Sequence, residues 1–102
     1  MDDSLVVVIT LAELHKIKQE KGISNFATRD IKLIQRYFGN RFKLIANNMA
    51  IRTNEGQVKI ERLGDDYFLI TTYHGGLNYY KCDAVDGLEE FFLTIYEEKF
   101  KR

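Results

Sequence analysis

Apolar and polar residues alternate through much of residues 41–82, and this pattern predicts an antiparallel β-meander. Four turn candidates interrupt the alternation: Asn47 with Asn48, Glu55 with Gly56, residues 64–66 and residues 74–76. Each candidate is rich in residues that tolerate a positive φ or cap their own backbone. The pattern therefore predicts about four to five strands joined by tight turns.

The alternation also predicts which residues face each other across the strands. Two-residue loops at the first two turns and three-residue loops at the last two give a buried row of Leu44, Ile51, Ile60, Ile70 and Tyr80. The neighbouring rows are Phe42, Thr53, Val58, Thr72 and Asn78 on one side, and Met49, Arg62, Phe68 and Cys82 on the other. A slip of one residue would turn a strand's apolar set to the wrong face, and burying each Val, Ile or Phe contributes about 1.5 to 3 kcal/mol.

The opposite sheet face is less polar than a solvent-exposed face should be. Its apolar side chains gather toward the last two strands: Leu63, Tyr67, Leu69, Tyr73, Leu77 and Tyr79. Either another segment of the chain covers them, or they form the contact surface for a partner or a second copy. For the second case the predicted partner-binding residues are Tyr67, Leu69, Tyr73, Leu77 and Tyr79, because a tyrosine can stand exposed and still bury a large ring on contact.

The N-terminal part predicts a short strand followed by two helices. Residues 5–9 are a β-branched run typical of a buried strand, and Thr10 and Glu13 have the spacing of a capping box at a helix start. Gly22 is placed to end that first helix. A single helix over residues 4–21 is the alternative, but its first half has no polar face.

A second helix is expected between Ser24 or Thr28, as candidate caps, and Gly39, with Asp30 in its first turn. A C-terminal helix is expected to begin at Asp86, three residues before Glu89, and to run to the end of the chain. The predicted fold is thus α+β: an antiparallel meander of about four to five strands with two N-terminal helices and one C-terminal helix. Residues 1–102 are expected to form one domain, as suits this length.

One alternative concerns residues 42–49. The apolar stripe of the second helix continues at helical spacing through Phe42, Ile45 and Met49, with Gly39 as the turn of a helix-turn-helix. The strand interpretation explains more, because it also accounts for Asn47 and Asn48 as a turn.

Charge is balanced over the chain but unevenly distributed. Of 15 basic and 15 acidic residues, residues 16–62 hold eleven basic against four acidic, while residues 63–102 hold four basic against eight acidic. The basic middle suggests a nucleic-acid-binding regulator as the alternative function, through Arg29, Lys32, Arg36, Arg41 and Lys43.

No residue pattern identifies a catalytic, metal or cofactor site. His74, in a glycine-flanked loop, is the best candidate for a titrating group, but no nucleophile is tied to it by a motif. His15 has less support still. A single cysteine, Cys82, excludes an internal disulfide and fits a reducing cytoplasm. The short apolar run at residues 5–9 follows two acidic residues and is too short to span a bilayer, so neither an export signal nor a membrane segment is expected.

The expected function is therefore that of a non-catalytic small binding protein acting through protein-protein contact or self-association. The lack of proline and the many Ile, Lys, Asn, Phe and Tyr residues indicate an AT-rich coding sequence. Such sequences are typical of low-GC bacteria, phages and mobile elements. We accordingly expect a modulator or inhibitor of a larger bacterial or phage enzyme, with no cofactor and no small-molecule substrate.

Overall fold

The computed structural model describes residues 5–45, 47–53, 56–73 and 76–96, except for the side chain of Tyr96. Within them, helices flank a six-stranded antiparallel sheet with the strand order β1-β6-β5-β4-β3-β2. The strands are β1 (Val6–Ile9), β2 (Phe42–Ile45), β3 (Asn48–Arg52), β4 (Gln57–Leu63), β5 (Tyr67–Tyr73) and β6 (Leu77–Asp83). The helices are α1 (Leu11–Lys21), α2 (Thr28–Phe38) and α3 (Gly87–Glu90), which continues into a π-helical segment, Phe91–Tyr96. The α+β prediction is confirmed, with one strand more than expected because β1 joins the sheet.

The larger part of the core lies between one sheet face and the layer of α2, α3 and the π-helical segment; we call this face the inner face. Side chains that are almost completely buried there are Ile34, Phe38, Met49, Ile51, Val58, Ile60, Phe68, Ile70, Leu88, Phe91 and Phe92. The ring of Phe92 lies 5.1 Å from that of Phe38, edge to face, so aromatic contacts join the two helical segments. The opposite side of the sheet is the outer face.

The predicted pairing is confirmed for β4 with β5 and for β5 with β6, and it is wrong by two residues for β3 with each of its neighbours, β2 and β4. Ile60 pairs with Ile70, which pairs with Tyr80, as expected. Met49 rather than Ile51 pairs with both Leu44 and Ile60, so β3 lies two residues from its predicted position between β2 and β4. Every side chain still points to its predicted face, since side-chain direction repeats every two residues.

The strand interpretation of residues 42–45 is confirmed, and the helix-turn-helix alternative is wrong. Phe42 pairs with Ile51 and Leu44 with Met49, so this segment is the edge strand of the sheet. The prediction for the other edge strand, β1, is right about its being a strand and wrong about its burial. Residues 6–9 form a strand, but Val7 and Val8 are exposed, so β1 is not a buried strand.

Helix α1 begins and ends as predicted. The Thr10 hydroxyl accepts from the Glu13 N–H at 3.1 Å, and the Glu13 carboxylate accepts from the Thr10 N–H at 3.0 Å. Hydrogen bonding of the Glu13 carboxylate to Thr10, first to its backbone N–H and then to its hydroxyl, holds the pKa of Glu13 below its ordinary value. Gly22 ends the helix with a φ of +78°.

The predicted side-chain caps of the other two helices are wrong, although Asp86 is the N-cap residue of α3 as expected. Neither Ser24 nor Thr28 caps α2, whose first turn is held by Asp30: its carboxylate accepts from the Ala27 N–H at 2.8 Å. Ser24 instead accepts from the Gly64 N–H, joining the loop before α2 to the sheet. Before α3, Asp86 forms no side-chain cap, and Asp83 accepts from the Val85 N–H at 2.7 Å. The expected end of this helix, residues 97–102, lies outside the described residues.

A charged pair is buried between α2 and the sheet. Arg62, which the predicted register placed on the inner face, donates to Asp30 with an Nη1–Oδ2 distance of 2.5 Å. Their side chains are only 12% and 3% exposed. Because the Asp30 carboxylate also holds the first turn of α2, this pair fixes the helix to strand β4.

Candidate functional site

Helix α1 covers half of the outer sheet face. Its Leu14 and Ile17 pack in a second apolar cluster with Ile9, Leu63, Leu69 and Tyr79. Helix α1, a segment of the chain itself, therefore covers part of the apolar outer face. The sequence allowed either such a segment or a contact surface for a partner or a second copy. We call this part, over β1, β6, β5 and the end of β4, the covered half.

Ion pairs and a ring contact hold α1 in place at the far end of the covered half. Lys18 lies 3.2 Å from Glu61, and Lys21 lies 2.6 Å from Asp66. The hydrogen bond to Asp66 raises the pKa of Lys21 above its ordinary value. The ammonium groups of Lys21 and Lys81 lie 5.6 Å and 4.7 Å from the centroid of the Tyr67 ring. Both lysines therefore make cation–π contacts with Tyr67.

The structure does not bring the five predicted partner-binding residues together on one exposed surface. Leu69 is only 1% exposed and lies beneath α1, so a partner cannot reach it in the folded protein. Tyr67 and Tyr79 are half-buried in the same region. Tyr73 and Leu77 pair with each other across β5 and β6 and remain 58% and 52% exposed. Of the five predicted residues, only Tyr73 and Leu77 are therefore exposed on the outer face.

The remaining outer face, over β2, β3 and the adjoining ends of β4, β5 and β6, is open, and we call it the uncovered half. One of its cross-strand rows runs from Arg52 through Gln57 and Tyr73 to Leu77. The next row runs from Lys43 through Ala50 and Lys59 to Thr71. Arg41 extends the first row, because its carbonyl accepts from the Arg52 N–H at 3.2 Å.

Four exposed cations thus lie on the uncovered half, and we call Arg41, Lys43, Arg52 and Lys59 the basic patch. A shallow groove of about 720 Å³ runs among three of them, Arg41, Lys43 and Arg52, and the exposed side chain of Ile45 also lines it. Ala50, at the middle of the groove, leaves space because its side chain is a single methyl group. Among the described residues, no carboxylate forms an ion pair with any member of the patch.

The structure separates the five residues predicted for nucleic acid. Arg29, Lys32 and Arg36 are exposed on α2, in the layer over the inner face, whereas Arg41 and Lys43 belong to the basic patch. Arg29 donates to the Val85 carbonyl and Arg36 lies 3.7 Å from Glu89, so two of the three helical cations have partners.

Arg52 and Lys59 were missed as site residues. They lie on the strands that follow β2, and strand alternation alone predicts that they share a face with Arg41 and Lys43. The signal was available in the predicted register.

Candidate chemistry within the described residues is sparse. Cys82 is buried on the inner face, and burial raises the pKa of its thiol far above the ordinary value, the opposite of what a nucleophile requires. His15 is exposed on α1, and His74 lies outside the described residues. No group of three or more metal-ligating side chains occurs in the part of the chain that the structure describes. None of the helices there has the length and apolarity needed to cross a bilayer.

Comparison of the chain with protein-family models, with curated protein sequences and with solved structures finds no match.

Proposed function

We propose that this chain is a non-catalytic binding protein that contacts another protein through the uncovered half of its outer sheet face. The observation that carries the proposal is that apolar side chains on the same sheet face differ in their exposure to solvent. Leu63 and Leu69 are sealed under α1, whereas Tyr73, Leu77 and Ile45 remain more than half exposed on the uncovered half. Modulation or inhibition of a larger enzyme is the role we propose for this contact.

The make-up of the uncovered half supports a protein partner. Interface cores are enriched in tyrosine and arginine, and a few such anchors carry most of the binding free energy. Tyr73 stands beside Leu77 and in the same row as Arg52, so an aromatic anchor, an aliphatic side chain and a guanidinium form one continuous strip. The partner-binding residues that we propose are therefore Tyr73 and Leu77, together with their neighbours on the uncovered half.

A crosslinking experiment tests the proposal. A photo-crosslinking amino acid at position 73 should capture a protein from a lysate of the source cell, and the capture should be lost when Leu77→Ser is added. The matched control is the same amino acid at position 93, because Leu93 is 54% exposed but belongs to the helical layer. Equal capture from positions 73 and 93, or capture that is indifferent to Leu77→Ser, would contradict the proposal.

The basic patch supports a second candidate function, nucleic-acid binding, with Arg41 and Lys43 retained from the predicted residues and Arg52 and Lys59 added. A phosphate-binding surface should lose affinity steeply as salt rises. Gel shifts at low salt that retain neither duplex nor single-stranded nucleic acid would exclude it.

A further inference from the structure

We infer that the protein segment that docks on the uncovered half is acidic, and that its carboxylates bind the four cations of the basic patch. This inference rests on the proposed function, because it names the chemistry of the partner at the same surface. Charge complementarity carries it.

The geometry of the basic patch concentrates positive charge. Arg41, immediately before β2, and Arg52, on β3, are joined by a backbone hydrogen bond of 3.2 Å. Lys43 and Lys59 both pair with Ala50, so two strand spacings, about 10 Å, separate their backbones. Like charges that face each other across strands destabilise a sheet. The cross-strand neighbours Arg41 and Arg52 are therefore placed where a like-charge pair costs free energy in the unbound state.

The cations of the covered half are treated differently. Lys18 and Lys21 each lie against a carboxylate, and Lys81 lies over the Tyr67 ring. Described residues thus supply a partner for each of these cations, whereas none supplies a carboxylate to the basic patch. Among the cations on the outer-face strands, those without a described carboxylate or ring partner therefore lie on the surface that α1 leaves open.

Three observations favour carboxylates of a protein over phosphates of a nucleic acid. Formal net charge is zero, so long-range attraction to a phosphate backbone is weak. Tyr73 is the one exposed tyrosine among the described residues, whereas sequence-tolerant binding of single strands uses several aromatic rings. Ile45, two residues from Lys43 on β2, and Leu77, at the far end of the row that contains Arg52, offer aliphatic contacts that suit a protein segment.

The test uses fluorescently labelled poly-L-glutamate as the acidic polypeptide and a labelled oligo-dT as the competing polyanion. Anisotropy titrations compare the wild type with Lys43→Glu/Arg52→Glu. The matched control is Lys32→Glu/Arg36→Glu, which makes the same change of charge on the exposed side of α2. Thermal melts establish that each variant is folded.

We expect the wild type and the control to bind poly-L-glutamate alike, and the patch variant to bind it at least about tenfold more weakly. Binding should also weaken as salt rises from about 0.1 M to about 1 M, since the Debye length falls from about 10 Å to about 3 Å. Equal binding by the patch variant and the wild type, or no binding by the wild type, would overturn the inference. Tighter binding of oligo-dT than of poly-L-glutamate, lost in the patch variant, would also overturn it and assign the patch to nucleic acid.

The crosslinking experiment separates this inference from the proposed function. If position 73 captures a protein and the capture persists in Lys43→Glu/Arg52→Glu, the protein contact stands and its acidic character is wrong. If no capture depends on Leu77, the proposed function itself fails, and the inference fails with it.

Discussion

The buried ion pair of Arg62 and Asp30 leads to a quantitative prediction about the free energy of unfolding. Replacing Arg62 with methionine keeps an unbranched apolar stem of similar length and removes only the guanidinium. Asp30, 3% exposed, then retains the Ala27 N–H as its remaining described donor. A buried carboxylate that loses its cation is expected to destabilise the fold by about 3 to 5 kcal/mol.

Other contacts of Arg62 put the expected loss toward the upper part of that range. Its Nε donates to the Gly64 carbonyl at 3.0 Å, and its guanidinium lies 5.3 Å from the centroid of the Phe68 ring. The free energy of unfolding of a single domain is only about 5 to 15 kcal/mol, so Arg62→Met should remove a large fraction of it. Combining it with Asp30→Asn should cost less than the sum of the two single changes, because the second change removes the charge that the first left unpaired.

Equilibrium urea unfolding monitored by circular dichroism measures these free energies. Arg52→Met is the matched control: it makes the same substitution at an exposed position on β3, and a change within about 0.5 kcal/mol is expected. Arg62→Met equal to the control, or a strictly additive double variant, would show that the pair does not hold α2 to the sheet.

Two further predictions concern the inner face. The Thr72 hydroxyl is buried and has no hydrogen-bond partner among the described residues, so Thr72→Val should raise the free energy of unfolding by about 1 kcal/mol in urea unfolding. The control is Thr71→Val, at a half-exposed position. A loss of stability at position 72 would reveal a partner for the hydroxyl. Cys82 should not react with a thiol reagent at about pH 8 until urea unfolds the protein, because burial raises the thiol pKa and blocks access; rapid modification of the folded protein would place Cys82 at the surface.

The faces of the strands could be predicted from the sequence, but the register of the first strands could not. Alternation repeats every two residues, so a slip of two residues leaves Met49 and Ile51 both buried and produces no penalty in the pattern. The last two hairpins were predicted correctly, because the loops there contain the glycines at positions 64 and 76, which have positive φ. At the earlier turn candidates, neither Asn47 with Asn48 nor Glu55 with Gly56 fixed the loop position in the same way.

The partner of Arg62 was also beyond the sequence. An arginine among the apolar residues of the inner face departs from the alternating pattern, and the sequence does not show what pairs with it. Only the packing of α2 against β4 brings Asp30 to 2.5 Å from Arg62. The same long-range contact explains why Asp30, rather than Ser24 or Thr28, holds the first turn of α2. Local capping rules compare residues three or four positions apart and contain no information about a pair separated by 32 positions.

The division of the outer face follows from the length of α1 and from where it starts. Thr10 alone separates the end of β1 from α1, so the helix must begin over the β1 edge of the sheet. An α-helix of 11 residues is about 16 Å long, and strands lie about 4.8 Å apart, so α1 spans roughly three strand spacings. Its contact at Glu61 on β4 marks the limit of that reach. Strands β3 and β2 lie beyond it, which is why Leu69 belongs to the core while the basic patch, on the same face, stays open.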